Sequence, residues 1–140
     1  MVNNVLPGMA ESIEERGDYS TAIVEGATKQ SFLEAFSDPE ARFILIYGHG
    51  GRSLFAGVET SDGEYFEPSD LIGIDLSKSL KTVVFLSCFQ EELKEQWVAV
   101  LPEGTRIVAW PGLLTTEQIH SLRVRERIQS GITFAFGEPK

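Results

Sequence analysis

The sequence predicts an α/β protein, a three-layer α/β/α sandwich around a mostly parallel sheet, with a small antiparallel hairpin. Two observations carry this. The segments Phe43 to Tyr47 and Thr82 to Leu86 are short, apolar on both faces and bounded by turn signals, as strands covered by helices on both sides should be. Strand patterns also alternate with helical ones, the order that parallel strands joined by crossovers require. The chain has 140 residues, 42% of them hydrophobic, which suits one domain spanning 1–140 with a single core.

In chain order, residues 1–27 hold no persistent period and read as an N-terminal arm. Ser31-Phe-Leu-Glu34 has the form of a capping box, so a short helix is expected from Ser31 to about Ser37, ended by Asp38-Pro39. The strand Phe43 to Tyr47 runs into Gly48-His49-Gly50-Gly51. Leu54 to Val58 and Glu64 to Phe66 flank Ser61-Asp62-Gly63, whose Asp-Gly pair predicts a hairpin turn. Pro68 to Leu71 can begin a helical turn, capped by a serine or an aspartate.

Thr82 to Leu86 is the second buried strand and ends at Ser87-Cys88. Phe89, Leu93, Trp97, Val100 and Leu101 recur at helical spacing, so an amphipathic helix is expected over 89–101, stopped by Pro102-Glu103-Gly104. Arg106 to Trp110 reads as a third strand closed by Pro111-Gly112. Thr115 or Thr116 then caps a helix carrying Ile119, Leu122 and Ile128, with Gly131 as its C-cap. Ile132 to Phe136 follows as a last strand or a packed tail.

Charge narrows the partners. Lys and Arg number 12 against 21 Asp and Glu, a net −9, and the halves divided at residue 70 carry 4 − 13 = −9 and 8 − 8 = 0. A chain without a basic cluster has little with which to neutralise phosphates, so nucleic acid and anionic membranes are not expected partners. The longest apolar runs, Phe43 to Tyr47 and Trp97 to Leu101, fall far short of the ~20 residues of a membrane span. The opening residues lack a basic region followed by an apolar one, so a cytoplasmic location is expected.

Chemistry gathers at the carboxyl ends of the strands in such sheets. His49 comes just after one strand and Cys88 just after the next. Cys88, the single cysteine, cannot form an internal disulfide, and is either a small core residue or a reactive group. A thiolate is a nucleophile and an imidazole can take up or return its proton, so the two would form a hydrolytic pair if their strands lie side by side. Gly50 and Gly51 leave backbone N–H groups open, and one of them with the Cys88 N–H would suit an oxyanion. His120 and the run Arg123, Arg125, Arg127 read as helix surface.

The ordered segments FILIYGHGG, LFAGVETSDGEYFEPSDL, TVVFLSC and RIVAWPG resemble the caspase-like cysteine peptidases, including the metacaspase, gingipain, clostripain and CHAT types. About 90 residues, roughly 42–130, fall in the family's order. The resemblance implies His49 as general acid/base and Cys88 as nucleophile. It also implies an oxyanion site at Gly50 and the Cys88 amide, with Trp110 and Pro111 flanking a specificity pocket. The substrate would be a protein or peptide, a larger protein complex is a further possible partner, and neither metal nor cofactor is required. The text Leu-Ser-Cys-Phe-Gln departs from the caspase Gln-Ala-Cys-x-Gly. The stretch from Cys88 to Arg106 has room for one helix and none for a long processing linker. Two functions follow: a cysteine endopeptidase working through a thioester, or a catalytically inactive caspase-like interaction module.

Overall fold

Thr82–Leu86 is buried at every position, and that burial places it at the centre of the sheet. The structure, a computed structural model, describes residues 2–19, 26–51 and 57–139. Its elements in chain order are α1 (Val2–Glu14), α2 (Lys29–Ser37), β1 (Phe43–Tyr47), β2 (Gly50–Gly51), β3 (Gly57–Glu59) and β4 (Tyr65–Phe66). They continue with β5 (Thr82–Leu86), α3 (Lys94–Val100), β6 (Arg106–Val108), α4 (Thr116–Ile119) and α5 (Leu122–Phe136). Single 3₁₀ turns at Pro68–Leu71 and Gln90–Leu93 precede β5 and α3 respectively.

β5 pairs in parallel with β1 on one side and β6 on the other, giving the order β1-β5-β6. Alternation along the strands divides the core in two. Ile44, Ile46, Val83, Phe85 and Ile107 face Phe36 of α2, Trp97 of α3 and the hairpin residues Val58 and Phe66. Val84, Leu86 and Val108 face Met9 and Ile13 of α1 and Val124, Ile128 and Ile132 of α5. The result is a mixed α/β fold with helices on both faces of a parallel sheet. A second sheet, β2-β3-β4, is antiparallel and contains the expected hairpin.

Helical boundaries differ from expectation for local reasons. The N-terminal arm contains α1, which docks on α5 through Arg16. This guanidinium is 6% exposed and donates to the Gly137 carbonyl at 2.9 Å, the Ser12 carbonyl at 2.6 Å and the Thr133 hydroxyl at 3.2 Å. α2 starts two residues before Ser31 because Thr28 is its cap and Ser31 is the reciprocal partner at the third helical position. Thr115 caps α4, and Ser121 opens α5 as a separate helix. Gly131 does not end that helix. It lies inside α5, where its carbonyl accepts the Thr82 hydroxyl at 2.9 Å, and an added Cβ would come within 3.0 Å of Thr82 Cγ2. Ile132 to Phe136 is the last turn of α5 and not a strand.

The strand expected over 106–110 ends at Val108, while the helix expected over 89–101 begins only at Lys94. The hairpin turn falls at Thr60 to Gly63, where the Gly63 N–H donates to the Thr60 carbonyl at 3.1 Å. The Leu54 to Ala56 part of the expected hairpin strand lies outside the described residues.

Candidate functional site

The register of β1 on β5 decides how the two strand ends meet. Phe43 lies opposite Thr82 and Tyr47 opposite Leu86, a constant separation of 82 − 43 = 86 − 47 = 39 residues. His49 and Cys88 are also 39 residues apart (88 − 49), so they occupy matched positions two residues past the last strand pair. The ladder runs one step past Tyr47, with the Gly48 N–H donating to the Leu86 carbonyl at 3.4 Å.

Beyond Gly48 the two chains part. The His49 carbonyl accepts the Glu59 N–H at 2.7 Å, which carries the chain into β2 and the antiparallel sheet. This bond makes Gly50 and Val58 a non-hydrogen-bonded pair, so the Gly50 N–H points away from β3. The Gly51 side of the turn approaches Gly57, which has φ +140°. A Cβ on Gly57 would fall 2.1 Å from the Phe66 carbonyl oxygen, so only glycine fits. His49 is exposed and, with Tyr47, Phe32, Gly26, Ala27, Glu59, Thr60 and Ser61, lines a shallow cavity of about 270 Å³.

Cys88 turns toward the segment after β6. Its half-buried sulfur accepts the Leu114 N–H at 3.3 Å and lies 3.8 Å from the Leu114 carbonyl. Phe89 takes the left-handed conformation, φ 63°, and its N–H donates to the Gly112 carbonyl at 2.7 Å. A left-handed residue interrupts a helix, which is why α3 begins after a 3₁₀ turn. The Glu92 carboxylate accepts the Gly112 N–H at 3.2 and 3.3 Å, so the turn after β5 and the turn after β6 are held together.

Gln90 is the residue that sequence reasoning missed. Its amide is fully buried and donates to the Gly57 carbonyl and the Cys88 carbonyl, each at 3.0 Å, while its oxygen accepts the Trp97 indole N–H at 3.1 Å. Both amide hydrogens and the amide oxygen are therefore used. One side chain ties the hairpin, the Cys88 turn and α3 together. The only signal in the sequence is a polar residue beside an apolar helical pattern, which reads equally well as a solvated position. Ser87 is 2% exposed, and its hydroxyl has no hydrogen-bond partner among the described residues.

The two positions assigned to a pocket differ in exposure. Trp110 is 9% exposed and packs in the α1/α5 half of the core, with the Arg127 guanidinium 4.6 Å from its ring centroid. Arg127 also donates to the Ala109 carbonyl at 2.8 Å, so it is a packed residue and not free helix surface. Pro111 is exposed, Arg123 and Arg125 are exposed, and His120 is half-buried. Among the described residues no three His, Cys, Asp or Glu side chains converge as metal ligands would. No described helix is long and apolar enough to cross a membrane.

In comparisons with known proteins, no family model, no curated protein and no solved structure matches the chain.

Proposed function

We propose that the chain is a caspase-like interaction module, an α/β/α domain that binds a protein or peptide partner without hydrolysing it. The observation that carries this reading is the separate engagement of its two candidate catalytic side chains. The Cys88 sulfur is held at the Leu114 backbone, while His49 lines a cavity with Tyr47, Glu59 and Thr60. A hydrolytic pair needs the imidazole within hydrogen-bond reach of the thiol or one water away. A module needs only a stable presentation of the loops at the strand ends, which the Gln90 bonds supply.

One observation favours a second reading, a cysteine peptidase. The shared separation of 39 residues puts His49 and Cys88 on matched backbone positions, and the Gly50 N–H faces away from its sheet partner. In this reading Cys88 attacks the peptide carbonyl, His49 protonates the leaving amine, and water releases the acyl group from the thioester.

The discriminating experiment is the rate of Cys88 alkylation by iodoacetamide in the native chain and in His49→Ala, followed by mass. The module reading expects the two rates to agree within about twofold, and no cleavage of a peptide library. A loss of about tenfold or more in His49→Ala, together with peptide cleavage that alkylation abolishes, would establish the peptidase instead.

A further inference from the structure

The cavity beside His49 has a chemical bias that its outline alone does not convey. Glu59 is half-buried on its wall, and its carboxylate has neither ion pair nor hydrogen bond among the described residues. Tyr47, 43% exposed, and Phe32 add aromatic rings to the same lining. Lys29, the cation of this region with described ion pairs, is already placed 3.5 Å from Asp70 and 3.9 Å from Glu64. Asp62 and Glu64 stand exposed at the adjoining hairpin turn, and the whole net charge of −9 resides in residues 1–70.

We propose that this cavity is a subsite for one cationic side chain of a peptide partner, an arginine, with Glu59 as its counter-ion and Tyr47 and Phe32 as its walls. The proposal rests on the reading of the chain as an interaction module and names the chemistry that the module recognises. At about 270 Å³ the cavity is smaller than most drug-sized ligand sites and matches a single long side chain. A flat guanidinium suits it well, because its faces stack on aromatic rings while its N–H groups fork onto a carboxylate. The acidic surroundings would raise the local concentration of such a group and speed its arrival.

The test uses the full chain and capped arginine (Nα-acetyl-arginine amide), titrated while the ring resonances of Tyr47 and His49 are followed by NMR. Capped arginine should give saturable shifts of both rings, and capped citrulline, which is isosteric but uncharged, should bind at least tenfold more weakly. Glu59→Gln should weaken capped arginine at least tenfold, and Tyr47→Ser several-fold, whereas Glu95→Gln on the exposed side of α3 should leave binding unchanged. A retained resonance pattern elsewhere in each variant separates lost binding from lost folding. The proposal is overturned by the absence of saturable shifts, by equal binding to Glu59→Gln, or by agmatine binding where capped arginine does not. The last outcome would assign the cavity to a free amine. Cys88 alkylation judges the module reading independently, so either one can fail while the other stands.

Discussion

Gln90 concentrates into one side chain the coupling between the candidate site and the core. Replacing it by alanine leaves the Trp97 indole N–H without its acceptor and opens a cavity beneath the Cys88 turn. Losing a buried partner in this way costs about 1–3 kcal/mol per orphaned group. Gln90→Ala should therefore lose about 3 kcal/mol of unfolding free energy in urea titrations. Gln90→Glu should also destabilise, because a carboxylate cannot donate to the Gly57 and Cys88 carbonyls. At this scale the sequence marked which residues follow each strand and was silent about the directions their side chains take. His49 and Cys88 stood out because each comes two residues after an apolar strand. The Phe89 conformation did not, since a bulky residue at φ 63° runs against backbone preference and is imposed by the contact with Gly112.

Among the elements, the bounds of the two strands of highest apolar density were legible to the residue, although only TVVFL is buried throughout, while FILIY, at the edge of its sheet, is buried at Ile44 and Ile46 and exposed at Tyr47. Helix ends were less legible. Thr28 and Ser31 both carry hydroxyls that can cap, and the fold gives each a part, Thr28 as the cap and Ser31 as its reciprocal partner. Gly131 resembles a helix stop until Thr82 is seen to need a close-packed backbone there. The hairpin turn carries a pH response. The Thr60 hydroxyl donates to the Asp62 carboxylate and, as the largest cause, holds it below the ordinary carboxylate value. A carboxylate lowered in the folded state adds stability above its unfolded value, and that stability is lost as pH falls through the lowered one. Asp62→Asn should accordingly lower the urea midpoint near pH 6, with the gap to the native chain closing toward pH 2.

At the scale of the molecule, the sheet has three parallel strands with its most buried one in the middle. β5 is hydrogen-bonded on both sides and covered on both faces, so its amides should exchange only through global unfolding. The amides of β2 and β4, in two-residue strands at the border of the small sheet, should exchange many-fold faster. Measurement of hydrogen exchange by NMR checks this ranking, and comparable protection of β2 and β5 would contradict it. The layered class of the fold was legible because alternating strand and helix patterns constrain topology strongly. The division of labour between the two faces was not, because Pro7 and Gly8 interrupt the helical spacing of Val5, Met9 and Ile13 in α1, and only the fold shows Met9, Ile13 and the buried Arg16 meeting α5.

The order β1-β5-β6 also sets a timetable for synthesis. β1 must wait 39 residues for the strand that pairs with it, which at about 5–20 residues/s is roughly 2–8 s on the ribosome. During that interval α2 has already been made and the hairpin follows, so Phe36, Val58 and Phe66 are available to shelter Ile44 and Ile46 before Phe85 arrives. The opposite face has α1 from before β1 but gains α5 only after β6. Val84 and Leu86 thus acquire their second helical partner only once residues 122–136 have been made. A nascent chain of this protein is one-sided, and its exposed side is the one that α1 and α5 close together.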